Sequence, residues 1–145
     1  MDNIDRKILN SIQRDARTPI STLSECAGTS TASVQRRLKR LRESGVIINE
    51  ITLIDPKTVG FDITAIIAVD LERDRLIEID AFKRRVMAES QVQHCYCVAG
   101  DCDFTLIVIA KDMEDYEKFT HRFFFNDSNV RRFRRFEVLS ERLCK

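Results

Sequence analysis

The feature that most constrains this fold is a three-residue turn, Gly28-Thr29-Ser30, between two segments of helical periodicity. Glycine adopts the left-handed conformation that ends many helices, and serine is favoured as the cap that starts the next one. Apolar residues recur at helical spacing on both sides of the turn, at Ile20, Leu23 and Ala27 before it and at Val34, Leu38 and Leu41 after it. The pattern predicts two helices joined by a tight turn, the second running from Ser30 to Ser44 with its caps.

A further helix is predicted at the N-terminus. Asp2 or Asn3 can cap it, and its apolar stripe comprises Ile4, Ile8, Leu9 and Ile12. We expect Thr18 to cap the second helix and Pro19 to occupy its first position, where the missing N–H costs nothing. Three short helices with a glycine-bearing turn between the second and the third are typical of a helix-turn-helix domain.

The remainder of the chain alternates between β-rich and helical patterns. Strands are predicted at Ile63–Leu71, Val92–Val98, Phe104–Ala110 and Val130–Leu139. Helices are predicted around Leu76, Ile79, Phe82 and Val86, and after Asp112, where Tyr116, Phe119 and Phe123 share a face. The resulting order, βαββαβ, is that of a ferredoxin-like domain.

The predicted fold class is therefore α+β. It combines an N-terminal three-helix helix-turn-helix (winged-helix-like) domain with a C-terminal ferredoxin-like βαββαβ domain. We place the first domain at residues 1–48 and the second at residues 63–145. Residues 49–62 form the link between them, with a hinge strand near Ile51–Ile54 followed by the turn signal Asp55-Pro56.

Positive charge is concentrated on the third helix. The whole chain has a net charge of +1, but residues 1–50 contain nine Lys or Arg against six Asp or Glu. Five basic residues fall within seven positions: Arg36, Arg37, Lys39, Arg40 and Arg42. A solvated basic face is one interpretation. The short second helix, the turn and the small polar residues that open the third helix together favour double-stranded DNA, with this helix in the major groove.

The predicted DNA contacts divide by their position along the helix, because residues near its N-terminus reach base edges and later ones meet the backbone. The residues expected at or near bases are Ser30, Thr31, Ala32, Ser33, Gln35 and Arg36. Glutamine suits adenine, arginine suits guanine, and alanine can meet a thymine methyl group. The residues expected on phosphates, which position the protein without specifying sequence, are Arg37, Lys39, Arg40 and Arg42.

Other classes of protein are disfavoured. No apolar run is long enough to cross a bilayer, and the polar N-terminus does not resemble a signal peptide, so we expect a cytoplasmic protein. No catalytic constellation, cofactor motif or phosphate-binding glycine loop is present, so no enzyme is predicted. Five cysteines, Cys26, Cys95, Cys97, Cys102 and Cys144, are expected as reduced and mostly buried thiols. Zinc binding by Cys95, Cys97 and Cys102 with His94 and His121 is disfavoured, because the cysteine spacing is not the Cys-x-x-Cys of structural zinc sites. A redox role for Cys95 or Cys102 stays an open alternative.

Several stretches resemble the Lrp/AsnC (feast/famine) family of transcription regulators. They are residues 4–9, Gly28-Thr29-Ser30 with Val34, Arg37, Leu38 and Leu41, Gly45-Val46-Ile47, Asp55-Pro56 with Gly60, and residues 100–104. The resemblance implies DNA binding, dimers that pair through their sheets, and assembly to octamers. It also implies that a free amino acid binds between dimers, near Gly100, Asp101 and Asp103.

The turn that contains Asp101 and Asp103 also has a simpler interpretation, since aspartate commonly bonds the backbone of its own turn. Arg135 stands where the family usually has threonine. We consider that its guanidinium group holds an effector carboxylate, as arginine does well. Arg131 and Arg132 are expected to protect a solvated strand edge, and the alternative for this arginine-rich strand is a second phosphate contact.

The function predicted from these features is a transcription regulator that responds to a small ligand, most simply an amino acid. The alternative is a largely non-specific DNA-compacting protein, which needs only phosphate contacts and oligomerisation. A pure metabolite-binding module or an enzyme is a more distant alternative that leaves the basic helix unexplained. No metal or cofactor is predicted.

Overall fold

The structure, a computed structural model, describes residues 1–139. The chain divides into two compact units, Met1–Leu53 and Ile54–Lys145. The predicted Cys144 thiol lies outside the described residues.

The first unit is a three-helix domain: α1 is Asn3–Arg14, α2 is Ile20–Ala27 and α3 is Thr31–Glu43. All three helices contribute to one apolar core. Its buried members are Ile8, Leu23, Ala27, Val34 and Leu38, and Ile4, Ile12, Ile20 and Ile47 pack around them. The predicted helix-turn-helix architecture is confirmed.

The turn between α2 and α3 has the predicted geometry. Gly28 adopts the left-handed conformation, with φ 67° and ψ 44°, and Ser30 caps α3 by accepting a 3.2 Å hydrogen bond from the amide of Ser33. The start of α2 differs from the prediction. Pro19 is the cap position and lies outside the helix, while the Thr18 hydroxyl donates to the carbonyl of Asp15. Thr18 thus closes the preceding turn and leaves α2 without a side-chain cap.

A buried carboxylate links α1 to α3. The side chain of Asp5 is 1% exposed, and its oxygens accept hydrogen bonds from Arg37 Nη1 at 2.8 Å and Arg40 Nη2 at 2.7 Å. Asp2 caps α1, and its carboxylate accepts a 2.6 Å hydrogen bond from Arg37 Nη1. The backbone amide of Asp2 donates to the Asp5 carboxylate, and the amide of Asp5 donates to the Asp2 carboxylate. Because a buried charge needs partners, this cluster fixes where α3 lies against α1.

The single chain does not form the predicted hinge strand near Ile51–Ile54. Residues 48–55 form no strand, and the apolar side chains of Ile51, Leu53 and Ile54 are exposed. A short 3₁₀ helix follows at Lys57–Val59 and ends at Gly60. A strand needs a partner for its backbone hydrogen bonds as well as apolar residues, and no strand of residues 1–139 provides one for this segment.

The second unit is a four-stranded antiparallel sheet with helices in the predicted order. The strands are β1 at Ile63–Leu71, β2 at Val92–Cys97, β3 at Phe104–Ala110 and β4 at Val130–Glu137. The helices are α4 at Leu76–Ala88 and α5 at Met113–Thr120, the latter continued by a π turn at His121–Phe125. The sheet order is β2-β3-β1-β4, which is the ferredoxin-like arrangement.

The core of this unit lies between one face of the sheet and the two helices. Alternate residues of β1 and β3 are buried and pack with Phe82 of α4 and Phe119 of α5. Leu76, predicted as part of the buried stripe of α4, is exposed, so the stripe effectively begins at Ile79. The π turn buries both Phe123 and Phe124, which extends the aromatic core beyond the end of α5.

We expect Phe119→Ala to lower the free energy of unfolding by about 3 to 5 kcal/mol, because it removes a fully buried ring and leaves a cavity. The matched control is Phe125→Ala, whose ring is 65% exposed and should cost less than about 1 kcal/mol. Urea unfolding of the full chain, followed by circular dichroism, measures both. Equal losses would contradict the assigned core.

The Asp5 cluster predicts a specific response to acid. Burial opposes ionisation of Asp5, but hydrogen bonds from Arg37 and the amide of Asp2, with the charge of Arg40, outweigh it and hold the pKa of Asp5 below its usual 3.8. A carboxyl with a lowered pKa stabilises the fold above that usual value and ceases to do so as pH falls through the folded value. At neutral pH, Asp5→Asn should cost about 2 kcal/mol.

The test is urea unfolding of the wild type and Asp5→Asn from neutral pH down to about pH 3. The stability difference should be constant until pH falls below the ordinary pKa of Asp5, and then shrink. Glu25→Gln, at an exposed position of α2, serves as the control and should cost little at any pH. A constant difference throughout the acid range would show that the charge of Asp5 contributes nothing.

Candidate DNA interface and effector pocket

The outer face of α3 is polar and accessible. Its apolar residues Val34, Leu38 and Leu41 face the core. The predicted base-side residues Ser30, Thr31, Ala32, Gln35 and Arg36 are exposed, whereas Ser33 is half-buried. The hydroxyl of Ser33 accepts a 3.3 Å bond from Arg37 Nε, so this residue has a structural contact besides its place near the turn.

The five basic residues of α3 are not equivalent. Arg37 is 17% exposed and is held by Asp2 and Asp5. Arg40 is 58% exposed, with one amino group on Asp5. Arg42 makes two hydrogen bonds to Glu50, at 3.0 and 3.1 Å. The sequence pattern predicted phosphate contacts for these three arginines. In the structure, each of them has a carboxylate partner within its own domain.

Two basic residues face solvent more openly. Lys39 is 77% exposed and lies 3.8 Å from the Glu43 carboxylate, a separation that leaves the ammonium group largely hydrated. Arg36 is exposed and, within residues 1–139, forms no ion pair. Since Arg36 and Arg40 are four positions apart, they lie on one side of α3, with Arg36 nearer its N-terminus. The geometry leaves Arg36 as the basic side chain best placed to enter a groove.

A second candidate site lies at the turn between β2 and β3. An open cavity of about 350 Å³ is lined there by Asp70, Leu71, Glu72, Asp74, Gly100, Asp101, Cys102, Asp103 and Arg131. Five of these side chains are carboxylates and one is a guanidinium group. The predicted effector residues Gly100, Asp101 and Asp103 are therefore brought together at one cavity.

The two aspartates of the turn have different contacts. Asp103 Oδ2 accepts the amide of Leu71 at 2.7 Å, and the amide of Asp103 donates to the carbonyl of Val69 at 3.0 Å, so Asp103 binds the turn to β1. Asp101 is exposed, and its carbonyl accepts a 3.1 Å bond from Arg134 Nη2. The Asp103 carboxylate thus has a structural role, but with the backbone of β1 and not, as turn chemistry had suggested, with its own turn. The Asp101 side chain is exposed.

Arg135 does not join this cavity within the single chain. Its guanidinium group lies 5.0 Å from the centre of the Tyr116 ring and donates to Met113 Sδ at 3.4 Å, both on α5. Neighbouring residues of a strand point to opposite faces, and it is Arg134 that reaches Asp101. The sequence could not show which of Arg134 and Arg135 points toward the cavity, because it does not specify which face of β4 meets the helices.

An ion pair beside the cavity joins a buried carboxylate to an exposed arginine, and the sequence pattern did not indicate it. Arg132 Nε donates to Asp70 Oδ2 at 2.8 Å, and Asp70 is buried although its residue type favours the surface. The two residues are direct partners in the β1–β4 register. Arg132 was expected to be a solvated edge residue, and only the register identifies its partner. Arg131, predicted to share that role, is exposed on the outer strand β4 and also lines the cavity.

The cysteines are less buried than predicted. Cys26 and Cys97 are exposed, and Cys95 and Cys102 are half-buried. Burial and the neighbouring Cys97 raise the pKa of the Cys95 thiol. Across residues 1–139, no three His, Cys, Asp or Glu side chains are placed to hold a metal ion. No helix in this part of the chain has the length and apolar character needed to span a membrane.

The chain matches known proteins over both domains. A family model of the AsnC-type helix-turn-helix domain matches residues 1–42, and one of the Lrp/AsnC ligand binding domain matches residues 64–144. An HTH-type transcriptional regulator of Sinorhizobium fredii is 42% identical over 139 residues, covering 96% of this chain and 82% of that protein. The HTH-type transcriptional regulator AldR of Mycolicibacterium smegmatis is 39% identical over 130 residues, covering 90% and 76%.

Solved structures agree with this assignment. A transcriptional regulator of Neisseria meningitidis, crystallised as a complex with L-Met, superposes with a TM-score of 0.88 at 27% identity, covering 97% of this chain and 91% of that one. The relatives are named as transcriptional regulators and not as enzymes. On the evidence of its helix-turn-helix, its ferredoxin-like sheet and these matches, the chain belongs to the Lrp/AsnC family of DNA-binding transcriptional regulators.

Proposed function

We propose that this regulator recognises specific DNA sites through α3 and that an amino acid bound at the β2–β3 turn changes its assembly on DNA. The observation that carries the proposal is the outer face of α3, where Arg36 and Gln35 are exposed beside arginines held in ion pairs. A helix that bound DNA only through phosphates would not need its basic residues to be divided into exposed side chains and side chains held in ion pairs.

The proposed contacts refine those expected from sequence. Ser30, Thr31, Ala32, Ser33 and Gln35 lie at or near base edges, and Arg36 binds a guanine. Lys39 and Arg42 meet phosphates, whereas Arg40, which the sequence also suggested for a phosphate, is restrained by its bond to Asp5. Arg37 is assigned to the interior of the domain, because its guanidinium group is enclosed by Asp2 and Asp5.

The effector proposal rests on the cavity beside Gly100, Asp101 and Asp103. A free amino acid carries an ammonium group and a carboxylate, and this cavity offers both kinds of partner. Asp101 has an exposed carboxylate for the ammonium group, and Arg131 is the guanidinium group at the cavity. We therefore assign the carboxylate contact to Arg131 in place of Arg135. The L-Met complex of the Neisseria meningitidis relative supports an amino acid as the ligand class.

Assembly is needed because a single α3 presents few free positive charges. We propose a homodimer, assembling further to an octamer, that sets several recognition helices at fixed spacing. Linked copies bind with higher avidity than one copy without any new contact. The exposed apolar residues Ile51, Leu53 and Ile54 of the linker, with Ile66 on the sheet, are candidates for burial between copies. The effector acts if it binds one assembly better than another.

We expect Arg36→Ala to lower affinity for a selected duplex by about 1 to 3 kcal/mol and to relax base preference at one position. Lys39→Ala should instead weaken selected and random duplexes alike, because a phosphate contact is independent of sequence. The duplex is selected by the wild-type protein from a random pool, and affinities are measured by fluorescence anisotropy at several salt concentrations. Parallel behaviour of the two variants would contradict the division into base and phosphate contacts.

The same titrations separate regulation from compaction. A wild-type preference for the selected duplex of about a thousandfold or more over random DNA is expected of a specific regulator. A ratio near one at fixed salt would favour a DNA-compacting protein, because phosphate contacts alone give no preference.

For the effector, we expect one or a few of the standard amino acids to raise the unfolding temperature of the full chain. A ligand present at about one hundred times its Kd stabilises the folded state by about 2.7 kcal/mol. Asp101→Asn and Arg131→Gln should abolish this shift. The matched control Arg135→Thr should retain it, since Arg135 contacts α5 and not the cavity. Loss of the shift in Arg135→Thr alone would return the carboxylate contact to Arg135.

A further inference from the structure

The strongest unexplained feature of the DNA-binding domain is the location of Asp5. A carboxylate that is 1% exposed lies within α1, yet two of its hydrogen bonds go to arginines of the recognition helix. Arg37 and Arg40 are three positions apart and therefore neighbours on α3. One carboxylate thus holds two adjacent guanidinium groups on the side of α3 that meets α1.

We propose that Asp5 is a positioning residue for DNA recognition, which holds Arg37 and Arg40 against α1 so that Arg36 alone presents its guanidinium group to the bases. The proposal rests on α3 being the recognition helix, as proposed above. Asp5 itself touches no DNA.

The first consequence of the Asp5 contacts concerns the orientation of α3. Apolar packing of Val34, Leu38 and Leu41 is non-directional and leaves a helix some freedom to rotate and slide. The two charge-assisted hydrogen bonds that Arg37 and Arg40 donate to the Asp5 carboxylate are directional, and they are shorter than ordinary hydrogen bonds. They fix the rotation of α3 about its own axis, and this rotation decides whether Gln35 and Arg36 meet base edges.

The second consequence concerns charge. Arg40 lies one turn beyond Arg36 on the same side of α3 and is more than half exposed. Without Asp5, its guanidinium group and that of Arg37 would be available to any phosphate. Each added phosphate contact strengthens binding to all sequences alike and steepens the dependence on salt. Asp5 therefore favours specific over non-specific binding by restraining two arginines.

The test compares Asp5→Asn with the wild type on the selected duplex and on random DNA. We expect random-DNA affinity to rise, with a salt dependence steeper by about 1 to 2 for each bound helix. Selected-duplex affinity should fail to rise with it, so the specificity ratio should fall roughly tenfold, which is the effect of one misplaced base contact. Simple destabilisation cannot produce this result, since loss of folded protein weakens both kinds of binding.

Glu25→Gln is the matched control, because it removes the same charge from an exposed position of α2 in the same domain. It should raise both affinities together and leave the ratio unchanged. An unchanged ratio in Asp5→Asn would overturn the inference. If Arg36→Ala also leaves the ratio unchanged, the proposed role of α3 fails as well. A lower ratio in Arg36→Ala, with none in Asp5→Asn, would reject only the positioning role.

A second measurement needs no Asp5 variant and so does not depend on how Asp5→Asn folds. In nitrogen-15 spectra of the wild-type protein, the Arg37 Nε–H signal should be protected from exchange by its contact with Ser33. Addition of the selected duplex should shift the Arg36 side-chain signal and leave that of Arg37 in place. A shift of the Arg37 signal equal to that of Arg36 would show that Arg37 leaves Asp5 for the DNA and would overturn the inference.

Discussion

The pairing of the buried Asp5 carboxylate determines the organisation of the DNA-binding domain. A carboxylate removed from water is stable only when its lone pairs are satisfied, and here the donors come from α3 and from the backbone of the α1 cap. The first turn of α1 and the middle of α3 are thereby held together. Because α2 packs on both of these helices through Leu23 and Ala27, its place follows from theirs.

The same pairing makes the basic residues of α3 different from one another in exposure and in partners. A count of positive residues suggests a uniformly basic surface, whereas the structure divides the cluster by its partners. Arg37 is enclosed, Arg40 and Arg42 are shared with carboxylates, and Arg36 and Lys39 face solvent. Surface ion pairs are weak and can be exchanged for phosphates at little cost, but the bonds of the buried Asp5 are not so easily given up. Position relative to Asp5 therefore decides which arginines of α3 are held within the domain and which face solvent.

In the C-terminal domain the central strand β1 has the corresponding role. It pairs with β3 and with β4. At its end, the Asp70 carboxylate accepts a hydrogen bond from Arg132, and the amide of Leu71 donates one to the Asp103 carboxylate. These contacts hold the β2–β3 turn in a fixed place and leave Asp101 and Arg131 at the rim of the cavity. The cavity is therefore held by backbone contacts on one side and has exposed acidic side chains on the other.

Much of this protein was determined by its sequence alone, because the responsible forces are local. The caps Asp2, Ser30 and Asp112, the left-handed Gly28 and the bounds of β1 and β3 depend on residues within one turn or one strand, and the patterns predicted them. The order of these elements then indicated both domains, and the stretches around Gly28 and Gly100 indicated the family.

Only the tertiary structure decided which side chains meet across elements. The Asp5–Arg40 contact joins residues 35 positions apart, and the Arg132–Asp70 contact joins residues 62 apart. Charge patterns cannot distinguish such pairs from solvated residues, because burial and register are settled by packing of the whole domain. The linker near Ile51 shows the opposite case, in which a local strand pattern was present but no strand in the described chain offered hydrogen bonds. The turn at Gly28-Thr29-Ser30 is therefore a property of the sequence, and the division of the basic residues of α3 into paired and exposed side chains is a property of the fold.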